Sequence, residues 1–359
     1  MNKNQPYYIH TTNVQQKRIN TMIYYLFPRA SISVNKNTVK VVNTSSTTET
    51  PYLSFSLRKY MEEINHKIEN MESWTDQISN HHRAIEVISK IKHVSFIFYE
   101  LIELYHLMNL GWDKYTKMTS LHIGKDSNTT IKMCQFIRKQ EQTEDEYCTV
   151  YPSNYSPTIL HYFYQAKYNS IDLVIYSACD TRDEYQNCVD LLKQLCIGLG
   201  AQKKNSTCII KYGDTFSQLS LHILYFLSHF FEKMFFIKPY VSDLSKGDKF
   251  IVCKHFIYDG LTDKMNETII DLFHKVSEEP STRIEQIIQH TIPLFVSSKL
   301  EEINSIFGQS RLEHIQHLLT HQNIWHSEKT NTERLQKSKE WCLKYNVPYN
   351  NLESLSTNF

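Results

Sequence analysis

Two ionisable residues stand where buried strands of a predicted sheet should end. Asp180 closes the apolar run IDLVIYSACD, which begins at Ile171, and Lys211 closes the later run TCIIK. Open α/β sheets bind ligands at the edge formed by the carboxyl ends of their parallel strands, so we expect both side chains at one site. Two structural interpretations stay open, because an Asp there also caps turns and a Lys there can simply be solvated.

The stretch from Ile171 to His255 contains the elements that must position these residues. Three short apolar runs alternate with two segments of helical length, a pattern typical of parallel strands joined by crossover helices. The first helix, Glu184–Leu199, has an apolar stripe and ends before Gly200, which suits a helix C-cap. The last runs, FFIKP and KFIVCK, predict an antiparallel hairpin at the sheet edge. We therefore predict an α/β fold with a Rossmann-like, mostly parallel sheet, flanked by N- and C-terminal helices.

The remaining chain is predicted to supply helices and connecting segments around this sheet. The predicted division is an irregular N-terminal segment with a linker (1–52), N-terminal helices (53–111), the sheet domain (112–258) and a C-terminal helical extension (259–359). Within it, Ser120–Gln140 predicts a strand, loop and helix, and Glu141–Thr149 an acidic loop. Short strands are predicted at Ile23–Pro28 and Thr38–Asn43. Helices outside the sheet domain are predicted at Leu53–Trp74, His82–Leu110, Asp263–Val276, Arg283–His290, Lys299–Ile306, Arg311–Leu319 and Glu333–Tyr345.

Composition indicates an ordinary globular protein. The 359 residues are 41% hydrophobic and 21% charged, and they allow one large domain or two modest ones. The net charge of +1 provides no overall basic field, so any surface that binds nucleic acid must be local. The longest apolar stretch, Leu219–Phe231, is too short and too interrupted to span a membrane. We expect no membrane partner.

The eight cysteines lie between Cys134 and Cys342 without a CxxC pair. This spacing argues against a disulfide scaffold and a zinc ribbon, and it fits reduced thiols in the cytoplasm. Three histidines, His314, His317 and His321, share one helical face. A metal site there is the weaker interpretation, because no acidic residue or cysteine is grouped with them, and a histidine-rich surface helix is the stronger one. We predict no metal.

The central stretch resembles the FtsJ-like RNA ribose 2′-O-methyltransferases, above all the cap-type branch of large cytoplasmic DNA viruses. The motifs that carry this resemblance are IDLVIYSACD, STCIIKYGDTF, LYFLSHFFEKMFFIKP and SKGDKFIVCK, and the tail KSKEWCLKYNVPYN is similar to the ends of such viral proteins. The matching part runs from Ser120 to His255. The resemblance implies a Rossmann-like methyltransferase sheet and transfer of a methyl group from S-adenosylmethionine to an RNA ribose.

The resemblance also implies an active site of the Lys-Asp-Lys-Glu type. Asp180 and Lys211 match the central Asp and Lys, and Asp248 stands where the family has Glu. Ile97, in FIFYEL, takes the place of the first Lys, and Lys92 is an uncertain substitute. Such a lysine helps to remove the hydroxyl proton only if its pKa is lowered by burial or by a second cation. A role for Asp248 in the turn of the hairpin is the competing interpretation.

The loop that should bind the cofactor matches the family less well. The family has an acidic residue and Pro-Gly-Gly after the first strand, where glycines let the backbone approach the cofactor. This chain has HIGKDSN there, so that Gly124 stands alone and Asp126 is the nearest acid. Lys125 places positive charge near a sulfonium group, which is unfavourable. We expect weak or no binding of S-adenosylmethionine.

Two functional hypotheses follow. In the first, the chain is an RNA 2′-O-methyltransferase acting on mRNA caps, with Lys211 as the base and Asp180 and Asp248 as supports. In the second, it is a catalytically inactive relative that binds RNA or a partner in a viral transcription or capping assembly, together with capping or polymerase subunits. Asp180 with Lys211 favours the first, and Ile97 with the loop at Gly124 favours the second. Either would work in the cytoplasm, in a viral factory or a virion.

Overall fold

A computed structural model describes the chain at residues 24–44, 53–69, 84–92, 94–138, 144–151, 156–177, 183–278, 283–320 and 328–350. The strands are β1 (Tyr24–Phe27), β2 (Val39–Thr44), β3 (Thr119–Ile123), β4 (Glu146–Val150), β5 (Ile171–Tyr176), β6 (Gln202–Tyr212), β7 (Phe231–Ile237), β8 (Lys249–Phe256) and β9 (Arg283–Ile288). The helices are α1 (Phe55–Glu69), α2 (Ala84–Ile88), α3 (Ile97–Met108), α4 (Ser127–Ile137), α5 (Pro157–Lys167), α6 (Glu184–Leu199), α7 (Gln218–His229), α8 (Asp263–Glu278), α9 (Leu294–Thr320) and α10 (Glu328–Lys344), with one 3₁₀ turn at Trp112–Lys114.

Seven strands form the main sheet in the order β1-β7-β8-β6-β5-β3-β4. The neighbours from β4 to β6 are parallel, whereas β8 runs antiparallel to both β6 and β7, and β1 runs antiparallel to β7. The α/β, Rossmann-like, mostly parallel sheet is therefore confirmed. The hairpin β7–β8 enters the sheet through β8, and the N-terminal strand β1 covers its outer side. Strands β1 and β8 therefore run opposite to the other five strands.

Helices cover both faces of this sheet because the central strands are apolar on both sides. In β5 and β6, Leu173, Ile175 and Ile209 point to a core shared with α2, α3, α4 and α10. Val174 and Ile210 point to the opposite core, shared with α5 to α9. Every residue of β3 and β5 is buried, as expected for parallel strands between two helical layers.

The predicted helix Arg283–His290 is wrong, because this segment is strand β9. It pairs antiparallel with β2, more than 200 residues earlier in the sequence, in a separate two-stranded sheet. Ile284 and Ile287 are buried against α7 and its neighbours. A short apolar run fits a strand and a helix equally well, and only the distant partner β2 decided between them. The C-terminal part is thus not purely helical.

The segment predicted as an acidic loop also contains a strand. Glu146–Val150 forms β4 at the open edge of the sheet, where it is mostly half-exposed. Asp145, just before β4, forms a buried ion pair with Arg138, whose side chain also donates to the carbonyl oxygen of Trp112. The acidic residue therefore anchors the start of an edge strand, and its charge was no sign of a solvated loop.

The helices outside the sheet differ in their boundaries from the predicted ones. The predicted helix His82–Leu110 contains two helices, α2 and α3, and Ser89, directly after α2, forms an isolated β-bridge with Tyr349. The predicted helices Lys299–Ile306 and Arg311–Leu319 are one continuous helix, α9. The predicted short strands near the N-terminus, now β1 and β2, are confirmed, as are helices at α1, α8 and α10.

Two further properties concern the cysteines and the apolar character of the helices. The cysteines in the described residues are free thiols, and all but Cys148 are buried. Among the helices that the structure describes, none combines the length and the apolar character needed to cross a membrane.

Gly198 offers a test of how α6 packs on the sheet. A Cβ atom at this position would overlap the hydroxyl of Tyr176 and lie 3.3 Å from Cγ1 of Val174. We predict that Gly198→Ala lowers the free energy of unfolding by about 1–2 kcal/mol, although alanine has a higher helix propensity than glycine. Urea denaturation measures this change.

The matched control removes the hydroxyl oxygen of Tyr176, with which the new Cβ atom would overlap. The Tyr176 hydroxyl is buried without a hydrogen-bond partner among the described residues, so Tyr176→Phe alone should cost little. The double variant should recover most of the loss caused by Gly198→Ala, because the overlapping oxygen is gone. Equal losses in the single and the double variant would contradict this packing.

Candidate functional site

Lys211 is the penultimate residue of β6, at the carboxyl edge of the parallel strands. Side chains alternate along a strand, so Lys211 points to the same face as Ile209, toward the layer that contains α3. In the antiparallel neighbour β8, Phe250 lies directly opposite, and the ammonium is 5.7 Å from the centre of its ring. The predicted position of Lys211 at a strand end is confirmed.

A glutamate from helix α3 binds Lys211. Nζ of Lys211 lies 2.7 Å from Oε2 of Glu100, whose side chain is only 2% exposed. The other oxygen, Oε1, accepts a hydrogen bond of 2.7 Å from the hydroxyl of Ser242. The carboxylate of Glu100 therefore joins α3 to the end of β6 and to the loop between β7 and β8.

Asp248, just before β8, is the second partner of Lys211. Its Oδ2 lies 3.1 Å from Nζ of Lys211, and its Oδ1 lies 3.5 Å from Nζ of Lys238. Lys238 follows β7 and donates to the carbonyl oxygens of Lys246 and Asp248, at 2.6 and 2.7 Å. We call Glu100, Lys211, Lys238 and Asp248 the lysine–carboxylate cluster.

Burial and neighbouring charges shift the pKa values of Lys211, Lys238 and Asp248. Burial alone would lower the pKa of Lys211, but the nearby carboxylates of Glu100 and Asp248 outweigh it and raise that pKa. Burial would raise the pKa of Asp248, yet Lys238 and Lys211 lower it to about 2. Lys238 differs, since burial lowers its pKa and the carboxylates offset this only in part. The shift at Lys211 is opposite to the one that a general base requires.

A second glutamate of α3, Glu103, holds the same loop. Its carboxylate accepts hydrogen bonds from the backbone N–H groups of Tyr240 and Val241, at 2.8 and 3.0 Å, and from the indole of Trp341, at 3.1 Å. Burial raises the pKa of Glu103, and these three donors partly offset the rise. Helix α3 is therefore fastened both to the loop that carries Asp248 and to the C-terminal helix α10.

The loop after β3 contains the residues predicted to bind a cofactor. Gly124 has a φ of +111°, a conformation that suits glycine, and its lack of a Cβ atom would let a ligand approach the backbone. The carboxylate of Asp126 accepts a hydrogen bond of 2.7 Å from Ser95, and its N–H donates to Ser177 at 3.2 Å. The nearest acid is therefore engaged by the segment that leads into α3.

These residues do not fit S-adenosylmethionine. Only one glycine is present, the carboxylate of Asp126 is already hydrogen-bonded, and exposed Lys125 lies between them. Rossmann-like sheets commonly hold a cofactor ribose with a carboxylate beyond the second strand, but Val150–Ser156 contains no Asp or Glu.

The other predicted site positions have separate outcomes. Asp180 lies outside the described residues, so its place beside Lys211 stays a prediction. Ile97, at the position of the first family lysine, is 2% exposed and packs in the core between α3 and the sheet. Lys92 does not replace it, because its exposed amine donates to the carbonyl oxygen of Glu86. Among the described residues, no group of three or more His, Cys, Asp or Glu side chains is arranged to hold a metal.

Three residues of this site, Glu100, Glu103 and Lys238, were not predicted from the sequence. A signal for the two glutamates existed, since they are spaced by three in the largely apolar helix sequence IFYELIELYHLM. Buried carboxylates need partners, so this pattern predicts that cations or N–H donors face the helix. Lys238 at the end of the apolar run MFFI carried the same signal.

Comparisons with known proteins do not extend the resemblance. No protein-family model matches the chain, and no curated protein sequence matches it. The resemblance to the FtsJ-like methyltransferases therefore rests on the sequence motifs alone, and both the family and the function that it implies are proposals.

Asp248 provides a test of the cluster through its effect on stability at different pH values. Its pKa of about 2 is below the value of about 3.9 for an unfolded Asp, so it stabilises the fold above pH 4 and loses this contribution toward pH 2. We predict that Asp248→Asn lowers the free energy of unfolding by about 2 kcal/mol at pH 7. The difference from the parent protein should fall to about half at pH 3.

The measurement is urea unfolding of both proteins between pH 7 and pH 3. Glu301→Gln is the control, because Glu301 is an exposed carboxylate on α9. It should show neither the loss at pH 7 nor the narrowing toward pH 3. A constant difference between Asp248→Asn and the parent protein across this range would contradict the ion pairs of Asp248.

Proposed function

We propose that this chain is a methyltransferase-fold subunit that binds RNA at the lysine–carboxylate cluster and does not transfer methyl groups. The pairing of Lys211 with Glu100 and Asp248 carries the proposal. These contacts use two of the three N–H donors of the ammonium, and the two carboxylates favour its charged form. Lys211 is 20% exposed, so the remaining donor can bind an oxygen atom of a ligand.

The oxygen atoms that suit this donor are those of a ribose hydroxyl or a phosphate. Both are acceptors for a charged N–H group, and both occur in every RNA chain. The position of Lys211 at the carboxyl edge of the sheet is the place where α/β proteins bind ligands. The resemblance to cap-type methyltransferases adds the expectation that the RNA is capped mRNA and that the partners are capping or polymerase subunits.

The cofactor side of the sheet supports a role without catalysis. Ile97 fills with apolar atoms the position where the family has a lysine, and Asp126 is engaged by Ser95. Lys211 is held in its charged form, in which it has no lone pair to accept a proton from a hydroxyl group. The carboxyl edge of the sheet thus has the ionisable residues that could bind RNA. The position of the first family lysine and the cofactor loop do not match the family pattern.

A second candidate function is an active RNA ribose 2′-O-methyltransferase. The contact between Lys211 and Asp248 favours it, because these two family positions meet at 3.1 Å at the expected edge. In this candidate the charged Lys211 would orient the ribose oxygen and a carboxylate would accept its proton. The same hypothesis predicts that Asp180 lies beside Lys211 and Asp248.

Titration with S-adenosylmethionine separates the two candidates. We predict no heat of binding at millimolar ligand by isothermal calorimetry, because the loop at Gly124 and Asp126 lacks the fit for the methionine part. A clear binding isotherm, followed by methyl transfer to capped RNA that Lys211→Ala abolishes, would establish the enzyme and overturn the proposal. Equal methyl transfer by the parent protein and by Lys211→Ala would exclude any catalytic role of Lys211.

RNA binding should depend on the charge of Lys211. Loss of one charge-assisted hydrogen bond predicts about a tenfold weaker binding of a short capped RNA to the double variant Lys211→Met, Glu100→Gln. The double variant is used because Lys211→Met alone leaves Glu100 buried and unpaired, which would destabilise the fold. Fluorescence anisotropy at fixed salt measures the dissociation constant, and thermal unfolding verifies that the variant is folded.

The matched control is a lysine on the same strand. Lys203 lies near the amino end of β6, at the opposite edge of the sheet, where it pairs with Asp172. Lys203→Met should leave the RNA affinity unchanged. If both lysine variants bind as tightly as the parent protein, or if the parent protein binds no RNA, the proposal is wrong.

A further inference from the structure

The loop between β7 and β8, residues 238–248, is held firmly and is here called the cluster loop. The Lys238 ammonium binds the carbonyl oxygens of Lys246 and Asp248 across it. Glu103 accepts from the N–H groups of two consecutive residues, Tyr240 and Val241. Two further contacts are the hydrogen bond from Ser242 to Glu100 and that from Nε of Arg311 on α9 to the carbonyl oxygen of Ser245, at 2.8 Å.

Only two residues of the cluster loop are exposed. Tyr240 is 47% exposed, and the side chain of Lys246 is 68% exposed. The nine other residues of the loop are buried or half-buried. The loop therefore displays one aromatic ring and one ammonium group on a backbone that its hydrogen bonds keep in place.

These two residues are close in sequence to residues that hold the lysine–carboxylate cluster. Tyr240 is two residues before Ser242, whose hydroxyl binds Glu100, the partner of Lys211. Lys246 is two residues before Asp248, which also binds Lys211. The exposed ammonium of Lys246 has a long ion pair of 3.7 Å with the half-buried Asp243, which leaves its charge accessible.

We propose that Tyr240 stacks on the base of an unpaired RNA nucleotide and that Lys246 contacts a neighbouring phosphate. This inference rests on the proposed function and deepens it, because it assigns single-stranded RNA as the ligand of the site. An exposed aromatic ring beside cations is the arrangement by which proteins hold unpaired nucleotides. A docking site for a protein would instead surround the aromatic anchor with apolar residues, whereas the other exposed residue of this loop is a charged lysine.

The test measures binding of a fluorescein-labelled, unstructured RNA of about ten nucleotides, a length that suits a single-strand site. Tyr240→Ala should weaken binding at least fivefold, and Tyr240→Phe should bind like the parent protein because stacking needs only the ring. Tyr162→Ala is the matched control, since Tyr162 is 65% exposed on α5, in the other helical layer. Lys246→Ala should weaken binding and reduce the slope of log K against log salt by about 0.7.

The possible outcomes separate this inference from the proposal on which it rests. If the parent protein binds no RNA, both fail together. If RNA binding depends on Lys211 but Tyr240→Ala binds like the parent protein, only the stacking role is overturned. The same conclusion holds if Tyr240→Phe is as weak as Tyr240→Ala, or if duplex RNA binds as tightly as the single strand and loses as much affinity in Tyr240→Ala.

Discussion

The buried pairing of Lys211 with Glu100 and Asp248 is the interaction on which the site depends. Taking three charges out of water costs several kcal/mol per ion, and the cost is offset only if the charges meet at good geometry. Here the pairs at 2.7 and 3.1 Å meet this condition. They also join parts of the chain that are 111 residues apart in sequence, because Glu100 belongs to α3 and Lys211 to β6. The cluster is thus a fastening of the fold as well as the core of the candidate site.

The same pairing limits what the site can do. A lysine that two carboxylates keep charged can donate hydrogen bonds and attract oxygen atoms, but it cannot remove a proton. The features that stabilise Lys211 therefore favour binding over general-base catalysis. Lys238 has the lowered pKa that a base needs, yet its donors are used by two carbonyl oxygens inside the loop. The charged side chains that catalysis would use are therefore the same ones that stabilise the fold.

Helix α3 shows why the predicted division of the chain at residue 112 does not describe the site. This helix lies before the predicted sheet domain, yet Glu100 and Glu103 hold the end of β6 and the loop before β8. Trp341 of α10, from the predicted C-terminal extension, binds the same Glu103. Residues from all three parts form one arrangement of side chains, so the site combines α3, the end of β6, the loop between β7 and β8, and α10.

The sequence by itself determined the sheet and one end of the site. Continuous apolar runs with turn residues between them specify buried parallel strands, and they placed Lys211 at the end of a strand, whereas Asp248 was assigned to the site from the resemblance alone. Local patterns could not decide β9, since a short apolar run becomes a strand only when a distant strand such as β2 is there to pair with it. Local sequence patterns also could not predict the pairing of Glu100 with Lys211, although two glutamates in a largely apolar helix indicated that they need buried partners. Which cation meets which carboxylate depends on how α3 packs on the sheet, and only the tertiary structure decides that.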